Sequence, residues 1–247
     1  MRHTSSVFRD EKFELGIYHD YNDVANEIKL KHLYGKLAML QDALIIKNIT
    51  GCTVLDVGAG YGFLAKRLKE TGFTVVTIDP NPRARKIAKK WYNIDIIPAE
   101  IHSAPFKDGS FDTAVLREVV EHINFDKTVV ELHRIVRKEI VIFQTNLTLF
   151  VQIVRWLIRH KEFKPGLLTY YINTLEKFGF RVQSIKFCDI LALPLSGGLL
   201  TRQWCPTSNW IENIVIDVDN ILCKFFKILG LSRYVCWRFC LRAIRVS

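Results

Sequence analysis

The feature that most constrains the fold is a short apolar segment that runs directly into a glycine-rich turn. Cys52 to Val57 has the length and composition of a buried strand, Gly58 to Gly62 forms the turn, and Phe63 to Glu70 has helical periodicity. Glycine tolerates positive φ angles and lets a ligand approach the backbone, because no β-carbon is in the way. The segment therefore predicts a strand–turn–helix unit with a ligand site at the turn.

Strand-like and helix-like segments alternate along the rest of the chain. This alternation predicts an α/β fold with a doubly wound, mostly parallel seven-stranded sheet and helices on both faces. We expect an N-terminal helical cap over residues 1–48 and one α/β domain over residues 49–247, in which 147–230 include a substrate-side insertion of helix and loop. The predicted strands are 52–57, 73–78, 94–97, 111–116, 140–145, 180–190 and 234–246, and the predicted helices are 22–46, 63–70, 81–91, 126–137 and 167–178.

A further helix is predicted near the end of the chain. Asn209 to Glu212 resembles a capping box, which places Glu212 at the third helical position. The helix is predicted to end at Gly230 and to bury one apolar face. That face comprises Ile211, Ile214, Val218, Leu222, Phe225 and Leu229.

The glycine spacing and two acids narrow the class of ligand. A dinucleotide fingerprint requires G-x-G-x-x-G, whereas the spacing here is G-x-G-x-G and Phe63 stands at the third-glycine position. The Gly-Lys-Ser/Thr of a Walker loop is absent from the sequence. Asp56 would repel a pyrophosphate and suits a cationic amino-acid ligand. Asp79, at the end of the next strand, can accept hydrogen bonds from ribose hydroxyls in NAD or S-adenosylmethionine sites alike.

A second motif follows the predicted third strand. Residues 100–112 read EIHSAPFKDGSFD, and residues 118–123 read EVVEHI. Together with the glycine turn, the order and spacing of these segments over residues 50–145 resemble the class I S-adenosylmethionine-dependent methyltransferases, in the branch with a D-A-x-x-L-P-F…S-F-D segment and an L-E-H stretch. The resemblance implies a Rossmann-like methyltransferase fold and S-adenosylmethionine as the cofactor. The chain departs from the family pattern at Glu100, Ala104 and the Arg137–Glu139 segment, where the family has Asp, Leu and a P-G-G turn.

The resemblance also assigns roles to particular residues. The turn and Asp56 would hold the methionine end, Asp79 the ribose hydroxyls and Glu100 the adenine amino group. His122 and Glu118 are the candidate catalytic residues. An imidazole can take a proton near neutral pH, and packing or hydrogen bonding of His122 within its helical stretch is the equal alternative. The residues implied to contact the cofactor are Asp56, Gly58, Ala59, Gly60, Tyr61, Gly62, Asp79, Pro80, Asn81, Glu100, Ile101 and Arg117.

Basic charge is concentrated in the second half of the chain. The net charge is +10, and residues 147–247 contain 14 Lys and Arg against 6 Asp and Glu. Such an imbalance suits an anionic membrane surface or a nucleic acid, and a well-solvated surface is the alternative. The apolar and basic composition of residues 147–210 favours a small-molecule or lipid-like acceptor. An RNA methyltransferase that uses the basic C-terminal part, and a catalytically silent S-adenosylmethionine-binding partner subunit, are the alternatives.

Cysteine usage and hydropathy bear on the cellular setting. The six cysteines contain no C-x-x-C pair, so we expect buried small hydrophobic residues rather than a metal site or disulfides. The sequence has no uncharged apolar run of about eighteen residues and no apolar leader at its start. We therefore expect a cytoplasmic protein, with peripheral membrane contact through the basic C-terminal part as an option.

Overall fold

The structure is a computed structural model that describes residues 33–149, 151–153, 167–195 and 208–246. The strands are β1 (Thr53–Val57), β2 (Thr74–Ile78), β3 (Phe111–Arg117), β4 (Val136–Thr145), β5 (Phe180–Cys188) and β6 (Arg238–Arg245). The helices are α1 (Leu33–Ile46), α2 (Phe63–Glu70), α3 (Pro82–Tyr92), α4 (Phe125–Ile135), α5 (Leu168–Lys177), α6 (Asn209–Ile228) and α7 (Ser232–Val235). Single 3₁₀ turns cover Ile101–Ser103 and Val120–His122.

The strands form one sheet in the order β2-β1-β3-β4-β6-β5. The pairs β1–β2, β1–β3 and β3–β4 are parallel, whereas β6 runs antiparallel to both of its neighbours. Side chains on the two faces of β1 enter different cores, as the period of two in a strand requires. Val54 packs with Ile45 of α1 and Leu68 of α2, whereas Leu55 packs with Leu132 of α4. The predicted doubly wound α/β fold is therefore confirmed.

Of the seven predicted strands, the one at 94–97 is reduced to one residue. Residues 94–97 make a single parallel bridge, between Ile97 and Ile78 of β2. The Ile97 N–H donates to the Thr77 carbonyl at 2.9 Å, and the Asp79 N–H donates to the Ile97 carbonyl at 3.1 Å. Pairing stops there because the next N–H that would face β2, that of Ala99, donates back to the Ile97 carbonyl at 2.9 Å. The sheet consequently has six strands among the described residues.

The predicted capping box at the start of α6 is wrong. Ser208, not Asn209, precedes the first helical residue, and no side-chain hydrogen bond caps the helix. Glu212 is fully buried and forms an ion pair with Lys36 of α1, with Nζ and Oε2 2.9 Å apart. The Glu212 carboxylate therefore binds a lysine that is remote in sequence and does not cap its own helix.

The predicted buried face of α6 is also wrong. The buried side of the helix carries Glu212 and Asp219. The Asp219 carboxylate accepts hydrogen bonds from the backbone N–H groups of residues 190, 191 and 192, and these contacts fix the rotation of the helix. Of the residues predicted to be buried, Leu222 is half-buried and the others are exposed, namely Ile211, Ile214, Val218, Phe225 and Leu229.

Much of the basic charge at the C-terminal end is used inside the fold. Arg238 lies 3.2 Å from the Glu118 carboxylate, Arg242 donates to Glu139 at 2.6 Å, and Arg245 donates to the Val136 carbonyl at 2.8 Å. Lys224, Lys227 and Arg233 of α6 and α7 remain exposed. The charge available to an outside partner is therefore smaller than the sequence suggests.

The cysteines are buried only in part, although the sequence predicts that they are buried. Cys236 and Cys240 are buried as predicted, but Cys52 is exposed, and each cysteine that the structure describes is a free thiol. Within the described ranges, none of the helices has the length and apolar character needed to cross a bilayer. Predictions for residues 1–32, 154–166 and 196–207 lie outside the described residues, and the division at residue 48 stays a prediction.

Candidate cofactor site

The glycine turn lies where β1 and β2 end side by side. The N–H groups of Gly58 and Ala59 both donate to the Ile78 carbonyl, at 2.9 and 3.1 Å. Gly58 has a φ of 69°, and a β-carbon there would lie 2.5 Å from Val119 Cγ2. Gly60 has a φ of 53°, but the position of its β-carbon has no described heavy atom within 4 Å. Gly58 thus permits close packing, whereas Gly60 leaves the backbone open to a ligand.

Asp79 is held rigidly beside this turn. One carboxylate oxygen accepts from the Gly60 N–H and the other from the Asn81 N–H, each at 2.8 Å. Burial raises the pKa of Asp79, and the two N–H donors act in the opposite direction. Each oxygen keeps a second lone pair, so the carboxylate can accept two further hydrogen bonds from a diol.

Asp56 is a buried carboxylate with an unused hydrogen-bonding oxygen. Its side chain is almost fully buried, and within the described part of the chain its Oδ2 has no hydrogen-bond partner. Burial raises the pKa of Asp56 to about 7, Arg117 lowers it, and the neighbouring Asp42 and Asp79 raise it further. Ionisation of Asp56 is costly without a partner, so the position favours a ligand that brings positive charge or N–H donors.

Helix α1 contributes two polar residues to this edge of the sheet that the sequence analysis missed. The Asp42 carboxylate accepts from Arg117 at 2.6 Å. The Gln41 side-chain oxygen accepts from Arg238 at 3.0 Å, and its amide donates to Asp189 at 2.7 Å. Arg117, predicted to contact the cofactor, is thus paired with the N-terminal helix.

A signal for the Gln41 contact exists in the sequence. Gln41 follows Leu37 by four residues and precedes Ile45 by four, and all three are buried. A polar residue on the apolar stripe of an amphipathic helix needs a buried partner. The partner residues Asp189 and Arg238 are far away in the chain, so the sequence could not identify them.

The two candidate catalytic residues lie just beyond β3. Glu118 has a φ of 51°, accepts from Thr145 Oγ1 at 3.1 Å and pairs with Arg238. His122 is largely buried, and its Nε2 lies 3.7 Å from a Glu121 oxygen. Burial lowers the pKa of His122 to about 4, so its imidazole is neutral at pH 7 and a weak base. Glu118 is thus held by an arginine, and His122 is better suited to hydrogen bonding than to removing a proton.

Three more residues predicted to contact the cofactor lie in the glycine turn and at the start of α3. Asn81 caps α3, since its side chain accepts from the N–H groups of residues 83 and 84. The Pro80 carbonyl accepts from Arg85 at 2.6 Å, which fixes the backbone after Asp79. The Tyr61 ring is buried and packs against Phe63 and Trp91, so the turn offers its backbone at this position.

Glu100 and Ile101 lie on the 3₁₀ turn after residue 97. Glu100 is exposed, whereas Ile101 is buried in the same core as Leu55 and Val57. An exposed carboxylate at this place is accessible to an amino group of a ligand. The adenine contacts of both residues stay a prediction.

Gln144, at the end of β4, is a further residue that sequence reasoning missed. It is fully buried, and neither polar atom of its side chain has a hydrogen-bond partner among the described residues. A buried amide without partners is costly, so a ligand that supplies them would recover that cost. In the sequence, Gln144 simply follows four apolar residues of a strand.

Within the ranges that the structure describes, no group of three or more His, Cys, Asp or Glu side chains has an arrangement suited to a metal ion. Of the acids near the glycine turn, Asp42 pairs with Arg117 and Asp79 accepts from two backbone N–H groups, whereas one oxygen of Asp56 is left for a ligand. Their arrangement suits an organic cation that also carries a diol.

The part of the chain that contains this site matches a known protein family. Residues 55–143 match the family model described as a methyltransferase domain. Residues 55–143 are therefore identified as a methyltransferase domain, and this match together with the fold supports a class I S-adenosylmethionine-dependent methyltransferase. The cofactor of such domains is S-adenosylmethionine. Its amino-acid ammonium and its ribose diol are groups that buried carboxylates such as Asp56 and Asp79 can bind.

A curated relative is similar to this chain over part of its length. The ubiquinone biosynthesis O-methyltransferase of Methylobacterium sp. (strain 4-46) is 30% identical over 117 residues, which cover 41% of this chain and 47% of that protein. The chain therefore spans about half the length of this curated relative.

Solved structures show the same fold. A SAM-dependent methyltransferase from Archaeoglobus fulgidus has a TM-score of 0.62 at 20% identity, covering 85% of this chain and 94% of that one. Geranyl diphosphate C-methyltransferase from Streptomyces coelicolor A3(2) has a TM-score of 0.63 at 13% identity, covering 86% and 80%. This chain therefore shares the fold of these structures over most of its length.

Proposed function

We propose that this protein transfers the methyl group of S-adenosylmethionine to a small-molecule acceptor of lipid-like character. The observation that carries the proposal is Asp56, a buried carboxylate with one oxygen left for a ligand beside the open backbone of Gly60. The names of the similar proteins, which refer to ubiquinone biosynthesis and geranyl diphosphate, support a small organic acceptor.

The chain's own residues would bind and orient rather than take part in bond making. Asp56 would accept from the ammonium of the methionine end, and Asp79 from the ribose hydroxyls. Glu100 would accept from the adenine amino group, and Ile101 would support the ring. S-adenosylmethionine supplies an activated sulfonium methyl, so the main requirements are in-line alignment of the acceptor and exclusion of water.

The two candidate catalytic residues are weak bases, so we propose no removal of a proton from the acceptor by the residues that the structure describes at this edge. His122 is neutral at pH 7 and Glu118 is paired with Arg238. We propose that these residues orient the acceptor through hydrogen bonds. An acceptor that is already nucleophilic near neutral pH needs no more than this.

Membrane contact through the basic C-terminal part stays a prediction, as does RNA as the acceptor. Both depend on exposed positive charge, which the described residues after 146 offer at Lys177, Arg181, Lys186, Lys224, Lys227 and Arg233. A catalytically silent partner subunit is the third alternative, since cofactor binding alone would satisfy the Asp56 and Asp79 geometry.

The test uses methyl-labelled S-adenosylmethionine and cell extract, with Asp79→Ala as the matched inactive variant. We expect label in the organic-solvent fraction for the wild-type protein, and at least a thirtyfold loss of S-adenosylhomocysteine affinity by calorimetry for the variant. Such a loss corresponds to about 2 kcal/mol, as expected for two hydrogen bonds to a charged group.

Each alternative has a distinct outcome in this experiment. Label that nuclease treatment removes and lipid extraction leaves would identify an RNA acceptor. Cofactor binding with no labelled product in any fraction would identify a silent subunit. Unchanged affinity of Asp79→Ala would show that the cofactor site is misplaced.

A further inference from the structure

Helix α6 presents a continuous stripe of large apolar side chains to solvent. Its six members follow one another at spacings of three and four residues, the a and d pattern of a two-helix seam. Their exposed fractions range from 37% at Ile211 to 84% at Ile228. The stripe, called here the α6 seam, comprises Ile211, Ile214, Val218, Ile221, Phe225 and Ile228. A patch of this kind on a folded protein marks an interaction surface.

The seam cannot be buried by rotating α6. The opposite side of the helix is fixed by Glu212, paired with Lys36, and by Asp219, which accepts three backbone N–H groups. A rotation would break both sets of contacts and leave the N–H groups of residues 190–192 without their acceptor, which is costly. The helix is therefore held by its acids with its apolar side outward.

We infer that the α6 seam packs against the same seam of a second copy of this chain, with the two helices antiparallel. In that pairing Ile211 lies opposite Ile228 of the partner subunit, and Val218 lies opposite Ile221 of the partner subunit. Each of these layers occurs twice, because the contact has two-fold symmetry and is self-complementary. Ile214 and Phe225 form the remaining layers in the same way.

Charge complementarity selects the second copy and the direction of pairing. Asp217 and Lys224 are exposed and lie seven residues apart along one edge of the seam. In the antiparallel pair, Asp217 lies beside Lys224 of the partner subunit, and the symmetry makes two such ion pairs. A parallel pair would place Asp217 beside Leu222 of the partner subunit and form no ion pair. Rim charges of this kind set the orientation of an interface.

An anionic membrane fits the same surface less well. The exposed charges along the edge of the seam are Asp217 and Lys224, which cancel, so this edge offers an anionic surface no net positive charge. The helix is about 30 Å long, and a seam of this length falls at or below the standard interface of about 800 Å² per partner. A reversible dimer with a micromolar dissociation constant is therefore expected.

Sedimentation velocity of the full chain, from about 1 to about 100 µM, tests this inference. The wild-type protein should pass from monomer to dimer over that range, and Ile221→Asp should remain a monomer. Asp217→Lys should weaken association at least tenfold, because it places lysines opposite each other. The double variant Asp217→Lys with Lys224→Asp should restore association to near the wild-type constant.

Lys227→Asp is the matched control, since it makes the same charge change on α6 away from the seam. It should leave the dissociation constant within threefold of wild type, and circular dichroism should show all variants folded. A chain that stays monomeric at every concentration, or a double variant that fails to recover, would overturn the inference. Monomeric binding to phosphatidylglycerol vesicles that Ile221→Asp abolishes would instead assign the seam to a membrane. None of these measurements uses methyl transfer, so they stand or fall independently of the proposed activity.

Discussion

Replacing Asp56 by asparagine is expected to stabilise the cofactor-free protein and to remove most of its cofactor affinity. Burial raises the pKa of Asp56 from 3.8 to about 7. Between these values the folded protein keeps a proton on Asp56 that the unfolded chain has released, so stability falls as the pH rises through the window. Above pH 7 the ionised carboxylate costs the folded state about 4 kcal/mol, since each unit of pKa corresponds to 1.36 kcal/mol.

Urea unfolding followed by tryptophan fluorescence measures this cost. Between pH 5 and pH 8 the free energy of unfolding of the wild-type protein should fall by about 2.5 kcal/mol more than that of Asp56→Asn. S-adenosylhomocysteine affinity, measured by calorimetry, should fall at least about a hundredfold in the variant, because the carboxylate no longer meets the ammonium. Asp95→Asn is the control: its side chain is 83% exposed and, among the described residues, forms a surface ion pair with Lys89, so both quantities should barely change.

Two results would refute the reasoning. If the unfolding free energies of the wild-type protein and Asp56→Asn follow parallel lines from pH 5 to pH 8, Asp56 is not protonated in the folded, cofactor-free protein. If the variant binds S-adenosylhomocysteine as tightly as the wild type, the cofactor's amino-acid end lies elsewhere.

Three further changes test other parts of the site. Gly58→Ala should lower the unfolding free energy by about 2 kcal/mol or more, since it adds a left-handed alanine and a clash with Val119; an unchanged urea midpoint would contradict this. Gln144→Leu should leave the melting temperature unchanged or higher, because its amide has no partner in the described chain, while transfer falls; a lower melting temperature would show that the amide is satisfied. The kcat should show no inflection near pH 6.5 from His122, because its pKa of about 4 lies well below that range; an inflection that disappears in His122→Gln would contradict this.

The sheet and the glycine turn could be predicted because their signals are local. The strand that ends at Val57, the acid at its end and the turn after it lie within a dozen residues, and the alternation of strands and helices sets the topology. The last strand was predicted at 234–246 and is β6, Arg238–Arg245. Local pattern also favoured a strand at 94–97, but it could not show that the backbone turns back on itself at Ala99 and ends the pairing after one residue.

The orientation of α6 and the partners of Arg117 could not be predicted, because both depend on contacts that are remote in sequence. An apolar stripe on a helix normally faces a core. Here Lys36 and the backbone of residues 190–192 bind the acids on the other side of α6, and the helix faces outward as a result. Asp42 and Arg117 are likewise 75 residues apart, and no motif joins them.

The ion pair between Asp42 and Arg117 has a consequence for the cofactor site itself. Arg117 is close enough to Asp56 to lower its pKa. If Asp56 binds the cofactor's ammonium as proposed, this arginine would compete with the ammonium for the carboxylate. Asp42 of α1 binds the guanidinium at 2.6 Å and would leave Asp56 available. In a chain without α1, we would expect Arg117 to act as an internal inhibitor of cofactor binding.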